Sequence, residues 1–147
     1  MSVAGADGAA VKAVPAVGGR WWRWLGAWWV MLFASVLNGA LRESTYGPRV
    51  GELAAHQIST AISLCLLGLV MAACLRRWPP ASPREAWALG GFWLALTLAF
   101  EFLFFHYVGG HPWAELLANY DIGAGRVWVL VPLWIAVAPR LWLRWFR

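Results

Sequence analysis

The sequence predicts an all-α integral membrane protein, a bundle of four transmembrane helices with a short amphipathic helix in the second outer loop. Three observations carry this. The 147 residues are 61% hydrophobic and only 13% charged, against roughly 25% charged in an ordinary soluble domain. The apolar residues gather into four long runs, 24–41, 53–75, 86–108 and 127–143. Thirteen Trp is a large excess, and Trp favours the membrane–water boundary, where its ring is apolar and its indole N–H stays hydrated. One domain accounts for the length. Residues 20–147 form the bundle, and residues 1–19, rich in Ala, Gly and Val without helical periodicity, form a mobile cytoplasmic tail.

Each run is close to the ~20 residues that cross the hydrocarbon as a helix. The first follows Arg20 and Arg23, as a signal peptide would. It is long and Trp-rich, however, and no small-x-small cleavage site precedes Arg42 and Glu43, so it is retained as a span. The second carries Ser59, Ala61, Ser63, Cys65, Gly68 and Ala72; small residues let helix backbones approach closely, which places this helix at the centre of the bundle. Cys65 and Cys74 are too far apart on one helix to bridge and serve as small packing residues. The fourth run contains Pro132 and Pro139, tolerated in membrane helices as kinks rather than breaks. Ahead of it, Pro112 suits a first helical turn. Trp113, Leu116, Leu117 and Tyr120 then recur at helical spacing until Gly123 and Gly125. This amphipathic helix lies on the outer membrane face or packs on the bundle mouth.

Orientation follows from the cations. Lys12, Arg20 and Arg23 precede the first span, Arg76, Arg77 and Arg84 separate the second from the third, and Arg140, Arg144 and Arg147 close the chain. In the other two loops Arg42, Arg49 and Arg126 are balanced by Glu43, Glu52, Glu115 and Asp121. Positive loops stay inside, so both termini and the middle loop are cytoplasmic in a multi-pass inner-membrane protein. Trp21, Trp22, Trp24, Trp78, Trp87, Trp142 and Trp145 form an inner aromatic belt. The net charge of +5 flanks spans and forms no patch, which excludes nucleic acid as a partner. The lipid bilayer is the expected partner, with a protein partner or a homo-oligomer left open. Every cation but Lys12 is Arg, a bias that a GC-rich bacterial genome produces.

Ionised groups within a membrane cost roughly 2.5–3.5 kcal/mol at mid-span on insertion scales, so their positions are informative. They cluster in the outer third. Asn38 and Arg42 share a face at the end of the first span, beside Glu43. Glu52, His56 and Gln57 open the second, Glu101 and His106 lie near the end of the third, and Arg126 opens the fourth. Glu101, flanked by Phe100 and Phe102, needs a partner. It forms a register-fixing ion pair with Arg42 or Arg126, acts as a proton-carrying or ligand-binding carboxylate, or is protonated and bonded to a hydroxyl.

His56 and His106 come from different spans at similar depth. Two such imidazoles can hold a haem iron, or a metal with Glu101 or Glu52; alternatively they are hydrogen-bonded structural groups. No CxxCH, HExxH or paired ExxH motif supports the cofactor reading. Glu101 and His106, five apart, diverge by roughly 140° around a helix. His111, before Pro112, suits capping or surface exposure. No nucleophile elbow or phosphate loop is present. Ser44, Thr45 and Tyr46 lack a clear base, though a lipid-active enzyme using His56 or His106 stays open. The leading expectation is a non-enzymatic accessory or small oligomeric membrane protein. Its alternatives are a haem- or metal-binding redox protein using His56 and His106, and a small proton-coupled transporter using Glu101.

Several of these pieces recur together. Asn-Gly-Ala-Leu-Arg-Glu at 38–43, Ala-His-Gln-Ile-Ser at 55–59, Phe-Glu-Phe at 100–102, His106 with Tyr107, and the stretch from Leu116 to Gly125 and Arg126 resemble a group of small bacterial inner-membrane proteins usually described only as hypothetical. The resemblance covers most of the chain beyond the tail. It implies a four-helix membrane protein and carries no known activity, so no functional residue is transferred.

Overall fold

The computed structural model describes residues 17–147 and, among them, is all-helical without strands. Lys12 and most of the expected 1–19 tail lie outside the described residues. Helix α1 (Val17–Leu41) continues through a π-helical turn, Arg42–Tyr46, into α2 (Gly47–Val50). Gly51, at φ +89°, makes the sharp break that a side chain would strain, and α3 (Glu52–Arg77) returns. α4 (Pro83–Ala99) is well started: Pro83 occupies its first turn, and the Ser82 hydroxyl accepts the Glu85 N–H. It runs on through a second π turn, Phe100–Phe104, into α5 (Phe105–Tyr107). Short α6 (Trp113–Ala118) and a 3₁₀ turn (Ile122–Ala124) lead to α7 (Leu130–Trp145).

Three stretches are long and apolar enough to cross a membrane: Gly19–Val50, Glu52–Arg77 and Pro83–Tyr107. The fourth run, expected over 127–143, is helical only from Leu130, after turn-type bonds to the Val127 and Trp128 carbonyls. At 16 residues α7 is about 24 Å long, short of the usual span. Pro139 lies buried inside it without breaking it. The first outer loop, expected over 42–52, is almost wholly helical. Within it Ser44 donates to the Ala40 carbonyl (2.8 Å) and Thr45 to that of Leu41 (2.5 Å), so both hydroxyls are bonded back onto the preceding turn.

The four long helices share one core, built from Trp24, Trp28 and Met31, Leu67 and Met71, Leu89 and Trp93, and Val131, Ile135 and Ala138. α3 packs on α1 and α7, and α7 also packs on α4, while α1 and α4 touch only lightly. The closest approach is between α4 and α7: a Cβ at Gly90 would stand 2.0 Å from the Ala136 carbonyl oxygen. At Gly68 the ring of Trp134 fills the place of a side chain, with its Nε1 3.3 Å from an ideal Cβ. Ser59, Ser63 and Gly68 thus face inward, whereas Ala61 and Cys65 are exposed; half of the small-residue pattern serves packing.

One end of the bundle, where α3 turns into α4, is dominated by Trp and Arg and is the aromatic end below. Trp22, Trp87 and Trp145 are exposed there, as a boundary belt requires. Trp24 departs from the expected belt and is fully buried. Its Nε1 donates to the carbonyl of Trp78, the residue that ends α3 (3.1 Å), and its own carbonyl accepts from Trp93 Nε1 (2.8 Å). A buried indole needs such an acceptor, and a helix end supplies one. Arg20 and Glu85 add an ion pair between the starts of α1 and α4 (3.3 Å). Nearer the other end, Asn38 is 4% exposed and its Nδ2 donates to the Ser59 carbonyl (2.8 Å) and Ser63 Oγ (2.8 Å), tying α1 to α3.

Two outcomes follow for stability in detergent. Gly90→Ala should lose about 3 kcal/mol, the upper end of the overpacking range, while Gly91→Ala, whose Cβ meets nothing within 4 Å, should be neutral or gain up to about 1 kcal/mol. Thermal unfolding of the pair checks this, and equal melting temperatures would refute the close α4–α7 contact. Asn38→Ala should cost about 1 kcal/mol, within the range for interhelical hydrogen bonds in membrane proteins, by the same measurement.

Candidate functional site

The end opposite the aromatic end carries both π turns. π segments are rare and frequently occur at functional sites. In the first, the Gly47 N–H reaches back to the Arg42 carbonyl, and a Cβ at Gly47 would lie 2.6 Å from that oxygen, so only glycine fits. In the second, Phe100 and Phe104 stack at 4.7 Å. The two turns face a chamber of about 660 Å³. Arg42, Glu43 and Pro48 form one wall, Glu52 and His56 the next, and Glu101, Phe102 and Trp128 the floor side. α6 and its following turn bring Leu116, Asn119 and Tyr120 over the mouth. Between the two placements expected for the amphipathic helix, it packs on the bundle. Leu116 and Tyr120 turn inward while Leu117 remains 60% exposed, so the predicted single apolar face is split.

Glu101 is the centre of the chamber's chemistry. Its Oε2 accepts from the Tyr120 hydroxyl, and its Oε1 accepts from Trp128 Nε1 at 2.6 Å. Neither donor carries charge. The expected ion pair with Arg42 or Arg126 is not formed, because both guanidiniums are engaged elsewhere: Arg42 with Glu43 (3.3 Å) and Arg126 with Glu52 (2.9 Å). Glu115 is held by His111 (3.0 Å). Of the four glutamates lining the chamber, Glu101 alone has no Arg or His partner among the described residues. Burial pushes the Tyr120 phenol well above its usual range, and the neighbouring Glu101 charge adds to this. Tyr120 therefore stays a proton donor to Glu101 at any physiological pH.

The histidines go separate ways. His56 Nδ1 lies 3.3 Å from Arg42 Nη1. Guanidinium only donates, so this nitrogen accepts and the ring proton is assigned to Nε2. Nε2 is buried without a partner. His106 instead bonds through Nδ1 to the His111 carbonyl (2.8 Å) and stacks on Trp113 with ring centres 3.8 Å apart. It is not part of the chamber wall, so the two imidazoles are not brought to one site. Among the described residues no three His, Cys, Asp or Glu side chains are grouped to hold a metal. Gln57 donates to the Gly125 carbonyl (3.0 Å) and anchors the loop before α7, and Arg126 also reaches Asn119 (3.5 Å). Of the predicted polar cluster, Arg42, Glu43, Glu52, His56, Glu101 and Arg126 therefore meet at the chamber, while Asn38, Gln57 and His106 hold its framework.

Tyr120 and Trp128 are the site residues that the sequence did not reveal. They stand 19 and 27 positions after Glu101, where the sequence pattern places one on an amphipathic face and the other in a span. The usable signal was chemical: Tyr and Trp are the aromatic side chains that can donate to a carboxylate. Comparison with known protein families, with curated proteins and with solved structures finds no match to this chain, so the chamber is interpreted through its own geometry.

Proposed function

We propose that the protein is a bacterial inner-membrane receptor of four spans, non-enzymatic, which binds an ammonium-bearing ligand at Glu101 in a chamber open to the outer side. The distribution of cations supports this orientation. Arg20, Arg23, Arg76, Arg77, Arg84, Arg140, Arg144 and Arg147 belong to the aromatic end, whereas each chamber Arg has a carboxylate partner. Exposed Trp29, Phe33, Leu69 and Leu133 suit helix faces in contact with lipid. α7 serves as the fourth span despite its length, since a short helix is accommodated by local bilayer thinning and by aromatic anchors such as Trp145.

The observation that carries the binding function is the lone charge balance of Glu101. Its two neutral donors solvate the carboxylate by dipoles and leave its charge unmatched, in a site where every other glutamate has a cationic or imidazole partner. A protonated amine supplies the missing charge together with hydrogen-bond donors. A binding role is favoured over catalysis because His56, the nearest candidate base, turns its accepting nitrogen to Arg42.

Ethanolamine is a suitable small probe, with ethylene glycol as the neutral control. At ten times its Kd a ligand of the native state adds about 1.4 kcal/mol, a rise of roughly 3–6 °C in Tm for a chain of this size. Wild-type protein in detergent should show this rise with ethanolamine and none with ethylene glycol. Glu101→Gln keeps the shape and loses the charge, and should lose the response. An equal response in Glu101→Gln, or none in wild type, would overturn the assignment.

A further inference from the structure

We propose that the amine belongs to a membrane phospholipid, one acyl chain of which lies in a lateral crevice between α1 and α4. This rests on the amine reading of Glu101 and names the class of ligand. The crevice has a volume of about 360 Å³ and is mostly apolar, with Arg42, Glu43 and Glu101 at one end. Its sides are Leu32, Val36 and Gly39 of α1 and Phe100 after α4, and its back is Val131 and Ile135 of α7. Val36 is 53% exposed, so the crevice opens on the flank of the helices, within a stretch long and apolar enough to span a membrane. The surroundings of that flank are hydrocarbon chains.

The fold explains why the gap exists. α1 and α4 are held together towards the aromatic end by Arg20 with Glu85, by Trp93 with the Trp24 carbonyl, and by Trp28 Nε1 with Thr97 Oγ1 at 3.1 Å. Beyond Thr97 no described hydrogen bond joins them, and α4 passes into its π turn. Trp28 and Thr97 line the crevice, whose upper part reaches the chamber.

Two properties point to a lipid rather than a free amine. First, the crevice and the chamber share walls: Arg42, Glu43, Glu101, Phe105 and Trp128 line both. An apolar slot open to lipid therefore leads directly to the unmatched carboxylate. Second, the shared neck contains a cation as well as an anion. Arg42 is held there by Glu43, whose side chain is 76% exposed, and such an exposed pair contributes little. Its Nη2 can turn from Glu43 to a phosphodiester at small cost while Nη1 keeps its bond to His56 Nδ1 at 3.3 Å. A glycerophospholipid with a primary-amine head then matches the order of groups: chain in the crevice, phosphate at Arg42, ammonium at Glu101.

The test uses full-length protein purified in detergent, loaded with phosphatidylethanolamine or phosphatidylglycerol and read by native mass spectrometry. Wild type should retain one phosphatidylethanolamine with about ten-fold preference over phosphatidylglycerol, the effect of one charge-assisted pair. Glu101→Gln should lose the preference. A Cβ at Gly39 meets nothing within 4 Å, so Gly39→Leu can start a side chain from the crevice wall and narrow the slot; it should weaken retention of the lipid yet keep the melting response to ethanolamine. Equal retention of the two lipids by wild type, or undiminished retention by Gly39→Leu, would overturn the lipid assignment while the amine response of Glu101 stood. Loss of that response in wild type would instead overturn both.

Discussion

A carboxylate near the end of an apolar helix has to be solvated by the protein, and the polar half of this structure is organised around that requirement. Glu101 stands among phenylalanines, and its two oxygens are served by Tyr120 and Trp128. Those donors lie on different elements, one after α6 and one before α7. Holding both in place brings the long loop back across the mouth of the helices. Gln57 and Arg126 fasten the same loop to the start of α3. The roof of the chamber is thus a consequence of solvating one acid.

The aromatic end follows a different rule. There the buried indoles of Trp24 and Trp93 each donate to a backbone carbonyl, and the helices are drawn together by packing and by the glycine contact at Gly90. Lipid offers helices no hydrophobic drive to associate, so close backbone approach and the two indole–carbonyl bonds of Trp24 and Trp93 do that work. α1 and α4 share this closure only along part of their length. Towards the chamber their contact is replaced by an apolar slot. A tight end and an open end are the result of one set of helices obeying two constraints.

Much of this was legible in the sequence, for reasons that can be named. Hydropathy predicts four spans, because burial in lipid demands uninterrupted apolar runs. Three of the four runs are stretches long enough to cross a membrane, while the fourth is a shorter helix from Leu130. The depth of the polar residues locates the chamber, since Arg42, His56, Glu101 and Arg126 all lie towards one end of the bundle. What escaped was pairing. Charge complementarity is visible in a sequence, so Arg42 and Arg126 were natural partners for Glu101, and neutral donors were not. The π turn at Arg42–Tyr46 is hidden because Ser44, Thr45 and Gly47 are also loop residues; in the structure the two hydroxyls bond back to Ala40 and Leu41 and the Gly47 N–H to Arg42. Trp24 looked like its interfacial neighbours because the carbonyl that accepts its N–H is freed by a helix end 54 residues away.

The same geometry indicates which parts of the site yield when something binds. Exposed ion pairs are worth about 0–1 kcal/mol, and Arg42–Glu43 and Arg126–Glu52 each involve a glutamate more than three-quarters exposed. Glu101 differs: it is approached from two sides by aromatic donors whose rings are themselves partly buried. Under the proposed binding role an incoming anion could take the place of Glu43 or Glu52 with little penalty, while Arg42 stays on His56 and Arg126 on Asn119. The acid would then be the selective contact and the exposed glutamate partners the ones that yield. Had Arg42 neutralised Glu101 instead, the charge would have been satisfied within the protein and the neck between chamber and crevice would have been closed by an internal ion pair.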